Sequence, residues 1–336
     1  MTSSPETERV ALPSNQHNED SELHVPARNI PVPTSISPEA QAFMAGTARY
    51  VAARSAPGQA EQAAAAVEFL RPAANRFSGT FETLMLPQGV QLYRATPIGR
   101  EGRHVEVAYM EIHGGGFVAG GGQMCQMNAK NKASLYGLEV YSPDYRLAPE
   151  YPFPAALDDC MTAYREILRR YKGTDLVVGG ASAGGNLAAA LLLRAREEGL
   201  PLPAALVLMT PVMDMTCAGD SHQTNRYLDV ALYGWAEGGG PEIYAAGHDL
   251  TAPHLSPLFG SFSRDWPPTI LTTGTRDLFL SDTVRMHRKL RRAGVHAELH
   301  VVEAGSHVGF MGLAPEDTEI LAECRRFVYA MTGIKS

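Results

Sequence analysis

From about residue 80 the chain alternates short apolar runs with stretches whose apolar positions recur every three or four residues. The short runs predict strands over Val105–Ile112, Glu139–Ser142, Leu176–Val178, Ala205–Met209, Thr269–Thr273 and His296–Val302. Between several of them lie helical patterns such as Asn186–Glu198 and Ser281–Ala293. Alternation of this kind predicts the α/β class, with a mainly parallel sheet covered on both faces. Residues 213–256 interrupt it with a mixed polar and aromatic insertion. A long excursion there reads as a functional cap or lid rather than a slack loop.

Upstream the pattern differs. Residues 1–36 are rich in Ser, Pro, Asn and Glu and lack periodicity, which predicts a flexible arm. Ser37-Pro38-Glu39 reads as a helix start, with Ser as cap and Pro in the first turn. Ala-rich helical segments follow over about 38–55 and 58–70. The expected organisation is an arm (1–36), N-terminal cap helices (37–75) and an α/β domain (76–336) carrying the 213–256 insertion.

Composition narrows the function. Hydrophobic residues make up 45% and charged residues 19%, the mix of a globular chain with a sizeable core. The net charge is −7, which argues against a nucleic-acid partner. The four cysteines form no C-x-x-C pair, so neither a zinc site nor a disulfide framework is expected. With no secretory signal and no membrane-spanning run visible, the expectation is a cytoplasmic protein. A homodimer stays open.

The chemistry concentrates in glycine-rich stretches. Gly180-Ala181-Ser182-Ala183-Gly184 follows a predicted strand and precedes a predicted helix, the context of a G-x-S-x-G nucleophile elbow. A turn that tight strains the serine backbone and requires small residues two positions to either side. His113-Gly114-Gly115-Gly116 follows an earlier strand, and its glycines let backbone N–H groups approach a developing oxyanion. Together the two stretches form a lipase/esterase pairing. A serine nucleophile also needs a base and an orienting carboxylate, in the chain order Ser, Asp, His. Asp277 follows the strand Thr269–Thr273, and His307 follows the strand His296–Val302. Asp282 reads as a helix N-terminal charge, Glu303 as structural, and His113 as a brace for the glycine loop.

These residues resemble the hormone-sensitive-lipase branch of the α/β-hydrolases, the family IV esterases. The matching stretches are His113–Phe117, Asp144–Glu150, Phe153–Asp159, Gly180–Gly185, Ser256–Leu258, Asp277 and His307, spread through residues 80–330. The resemblance implies an α/β-hydrolase core with a mostly parallel eight-stranded sheet, helices on both faces and a helical cap. It also implies oxyanion donors at Gly115, Gly116 and Ala183, and a structural role for the run containing Arg146 and Glu150. Many members carry Asp where this chain has Ala181. Within the family the chain looks closest to the monoterpene ε-lactone hydrolases.

The expected activity is hydrolysis of small to medium apolar carboxylic esters or lactones, through an acyl-enzyme on Ser182, His307 and Asp277. Neither a metal nor a cofactor is expected, and the partner is a small-molecule ester or lactone. Met213, Tyr227, Tyr233 and Trp235 in the insertion are candidate substrate contacts, weighed against simple burial of the cap on the core. Amidase or peptidase activity on the same triad is one alternative. A non-catalytic binding protein on the hydrolase scaffold is another.

Overall fold

Eight strands form one sheet in the order β1-β2-β4-β3-β5-β6-β7-β8. They are β1 (Gly79–Met85), β2 (Gln91–Pro97), β3 (Ala108–Ile112), β4 (Glu139–Asp144), β5 (Leu176–Ala181), β6 (Ala205–Met209), β7 (Thr269–Gly274) and β8 (Ala297–Val302). This computed structural model describes residues 27, 29–52, 68, 70–99, 107–232 and 240–335. Only β2 runs against its neighbours β1 and β4; the other pairings are parallel. The described residues from Pro33 onward form one compact unit.

Consecutive residues of the inner strands feed two different cores, because side chains alternate across a sheet. Met110, Val178, Leu206 and Leu271 face α3 (Ala155–Leu168), α4 (Ala183–Glu197) and α7 (Leu280–Arg292). Their chain neighbours Tyr109, Val177, Val207 and Ile270 face α2 (Gln123–Tyr136) and α8 (Pro315–Thr332). Burial on both sides makes these strands largely apolar, Glu111 of β3 and the threonines of β7 being buried polar exceptions, and the apolar runs are the signal on which their prediction rests.

The sheet is longer than the apolar runs predict. β1 is largely exposed and β2 is interrupted by the polar residues Gln91, Arg94 and Thr96, so neither forms such a run. β4 continues past Ser142 to Asp144, with Pro143 opposite Leu92 of β2. β8 begins one residue later than expected, at Ala297. β3 begins at Ala108, and residues 105–106 lie outside the described residues.

α1 (Pro38–Ala52) starts where the Ser-Pro pair predicts. The Ser37 hydroxyl accepts the Ala40 N–H at 3.1 Å and itself donates to Glu316 at 2.8 Å, tying this start to α8. Most of the 58–70 segment lies outside the described residues, whereas 70–75 is helical. The insertion carries α5 (Ser221–Thr224) and α6 (Gly240–Ala245). Asn186 in the first turn of α4 holds both its ends, donating to the carbonyls of Val212 (2.9 Å) and Leu255 (2.8 Å).

Candidate functional site

Ser182 sits between the last residue of β5 and the first of α4, with φ 58° and ψ −122°. Positive φ on a residue with a Cβ is strained and must be enforced by its surroundings. The enforcement is steric. A Cβ on Gly180 would collide with the backbone of Gly184, and one on Gly184 would collide with the Ile112 carbonyl oxygen. The Ser182 N–H donates to Met209 O at 2.9 Å, which fixes the turn to the end of β6.

The glycine loop after β3 lies against this turn, and a Cβ on Gly114 would stand 2.8 Å from the Ala181 carbonyl oxygen. Gly115 and Gly116 have φ of 118° and 61°. No described protein acceptor takes the N–H groups of Gly115, Gly116 or Ala183. His113, at the base of the loop, is 1% exposed and stacks on Tyr145 with centroids 4.0 Å apart. Its Nδ1 lies 2.8 Å from the Gly114 carbonyl, and burial pushes its pKa down to about 4. A neutral ring suits a bracing role.

Beyond β7 and β8 the chain brings Asp277 and His307 together. His307 Nδ1 lies 3.2 Å from Asp277 Oδ1. The same carboxylate accepts the Thr273 hydroxyl (2.7 Å) and the Phe279 N–H (3.0 Å), so its orientation is fixed from three sides. Burial works to lower the His307 pKa, but the bond to Asp277 and the charges of Asp277 and Asp229 outweigh it and raise it. No hydrogen bond joins Ser182 to His307 in this structure. Their chain neighbours Ala181 and Val308 line one cavity of about 570 Å³ together with Thr210, Thr272 and Thr273, whereas Ser182 and His307 do not line it.

Residues 109–311 match the family described as alpha/beta hydrolase fold, over more than half of the chain. The chain belongs to the α/β-hydrolase family. The hydrolase is 30% identical to an acetyl-hydrolase of Streptomyces hygroscopicus, over 80% of this chain and 91% of that one. It is 32% identical to an esterase of Acinetobacter venetianus, over 66% of this chain and 74% of that one. The crystal structure of esterase E25 superposes with a TM-score of 0.78 at 33% identity, covering 92% of this chain and 98% of that chain. An esterase from the bacterial hormone-sensitive lipase family superposes at 0.76 and 29% identity, covering 89% and 100%. The hydrolase therefore stands in the hormone-sensitive-lipase branch.

The insertion of the hydrolase uses its apolar residues differently from one another. Met213 is fully buried in the core and its N–H donates to Asp282 at 2.9 Å, whereas Tyr227 is 67% exposed. Tyr233 and Trp235 lie outside the described residues. Asp282, read from sequence as a helix-terminal charge, is fully buried and also paired with His222 at 3.0 Å. Glu303 is exposed. Asp159 is fully buried and holds the Arg146 guanidinium through contacts of 2.8 and 2.9 Å, which ties the loop after β4 to α3.

Two supporting residues carry no sequence signal. Asn225 donates to the carbonyls of Thr275 (3.1 Å) and Asp277 (2.9 Å). Asp229 accepts four backbone N–H groups, from Leu278, His307, Ala231 and Leu232. Both belong to the insertion, and only the folded chain brings them to β7 and β8. Side-chain atoms of Asp229, Asp277 and His307 lie within 4.8 Å of one another, the spacing of a metal-ligand set. Hydrogen bonds already occupy both Asp229 oxygens, as they do the Asp144 oxygens in the similar group of His113, Cys125 and Asp144.

Proposed function

We propose that Ser182, His307 and Asp277 are the triad with which this carboxylic ester hydrolase cleaves its substrate through an acyl-enzyme. The observation that carries the proposal is the His307–Asp277 pair, held at the same sheet edge as a serine forced to positive φ. His307 Nδ1–H donates to Asp277, which leaves Nε2 as the base that removes the Ser182 proton. Oγ then bonds to the ester carbonyl carbon. The oxyanion so formed is held by the N–H groups of Gly115, Gly116 and Ala183, a service that glycines at positive φ are suited to perform. His307 returns the proton to the leaving alkoxide as the C–O bond breaks. Water, deprotonated by the same nitrogen, attacks the acyl carbon, and Ser182 leaves with the proton as the acid is released.

Small to medium apolar esters are the proposed substrate class. The relatives support its smaller end, since they include an acetyl-hydrolase and an ethyl acetate hydrolase of Pseudomonas putida. The test is the initial rate on p-nitrophenyl acetate, p-nitrophenyl octanoate and a medium-ring terpene lactone, for wild type and Ser182→Ala. The expected result is that acetate exceeds the lactone and that the variant loses about 10⁴-fold or more in kcat. Faster lactone opening would shift the substrate class to lactones. Turnover that survives in Ser182→Ala would overturn the triad.

A further inference from the structure

We infer that Asp229 is a positioning residue for His307, a single carboxylate that fastens the insertion to the loops after β7 and β8 and sets a second negative charge beside the imidazole. The inference rests on His307 as the proton-transfer group proposed above. Its ground is geometric. Asp229 is fully buried. Its Oδ2 accepts the N–H of Leu278 at 2.8 Å and of His307 at 3.2 Å, one from each loop. Its Oδ1 accepts the N–H of Ala231 at 3.0 Å and of Leu232 at 3.2 Å, both within the insertion. Only an ionised carboxylate offers acceptors on both sides for four donors. An amide in its place would turn its NH₂ toward one of the two N–H pairs.

Charge adds to position. An isolated buried carboxylate is costly, so this one requires its four N–H donors and a nearby cation. Burial and the like charge of Asp277 raise the Asp229 pKa, while a protonated His307 lowers it. The charged groups acting on His307 are Asp277, from the loop after β7, and Asp229, from the insertion. Arg276 on the first loop interacts instead with Glu303 on the loop after β8. When His307 takes the Ser182 proton, the imidazolium faces two carboxylates: Asp277 at its Nδ1, and Asp229 through its backbone and across a gap of at most 4.8 Å. Removing the Asp229 charge disfavours that state and loosens the loop that presents the ring.

The experiment compares wild type with Asp229→Asn by two readouts. One is the pH profile of kcat and KM on p-nitrophenyl acetate; the other is the NMR titration of the His307 ring, which needs no turnover. The expected result is a kcat lowered about 10- to 100-fold with KM little changed. The acid limb of kcat/KM and the ring titration should both move down by about one pH unit. An unshifted His307 titration in a folded variant would overturn the inference, even if kcat fell. Should the variant not fold, wild type alone decides: the amide protons of Leu278, His307, Ala231 and Leu232 should report one shared carboxyl titration, and independent behaviour overturns it. A wild type without serine-dependent turnover would sink the proposed triad, yet the titrations would still judge Asp229.

Discussion

Glu111 is a buried carboxyl two residues before the glycine loop's first glycine-flanking histidine, 3% exposed, with no partner for its Oε2 among the described residues. Burial pushes its pKa up to about 7, and Lys132 only partly offsets this. A folded state that holds the proton more tightly than the unfolded chain is most stable below the ordinary carboxyl range and loses stability as pH rises through about 7. Glu111→Gln removes that loss. It should stabilise the hydrolase by on the order of 1–3 kcal/mol above pH 8 and by little below pH 4.5. Urea unfolding at both pH values checks this, and an equal gain at the two would contradict it. At this scale the sequence revealed the residues that need special backbone. Ser182, Gly180 and Gly184 stand in a pattern with a steric meaning, and that meaning is borne out in the positive φ and blocked Cβ positions. Glu111, Asn225 and Asp229 stand in no pattern. A carboxylate's neighbours across long sequence separations are set by tertiary packing, and a polar residue in a strand or loop reads the same whether buried or solvated.

Elements were legible to the extent that burial on both faces marked them. β5 and β6 are apolar throughout, and β7 is buried at every position although three of its residues are threonines, because each lies between two helical layers. β1 and β2 escaped because they lie at the antiparallel edge, where β1 is exposed or half-exposed at every position and β2 mixes buried with half-exposed polar positions. The loop after β4 shows how elements are fastened. Arg146 donates to Asp159 from both its guanidinium and its backbone N–H, while Asp159 is fully buried. Arg146→Ala strands that carboxylate and should cost about 2–3 kcal/mol, toward the low end for a buried pair because the arginine keeps part of its hydration. Denaturant midpoints would record the loss, and replacing Asp159 by Asn in the same chain should recover part of it. A cost within about 0.5 kcal/mol would mean that water takes the guanidinium's place.

At the scale of the whole molecule, the α/β class could be read from sequence, and because β5, β7 and β8 run parallel the loops that carry Ser182, Asp277 and His307 leave the same edge of the sheet. What the insertion does was not legible. Its apolar residues look alike in sequence, yet Met213, Met215 and Tyr244 are buried in the core while Tyr227 is exposed. Among the described residues no helix is long and apolar enough to cross a membrane.

One ring pair links distant parts of this molecule. Phe117 follows the glycine loop with φ 66°, and its ring stacks on Tyr244 of the insertion, centroids 3.8 Å apart and planes within 4°. The Phe117 carbonyl accepts the Ala148 N–H, and the Tyr244 carbonyl accepts the Phe153 N–H, both at 2.9 Å. Neither amide can meet deuterated solvent unless its acceptor moves away, and the stacked rings make the two movements one event. Ala148 and Phe153 should therefore exchange their protons with matching opening free energies. Tyr244→Ala should speed both together in mass-resolved exchange. Such a shared clock would mean that the insertion cannot breathe without the glycine loop breathing too, so a change in one is inherited by the kinetics of the other.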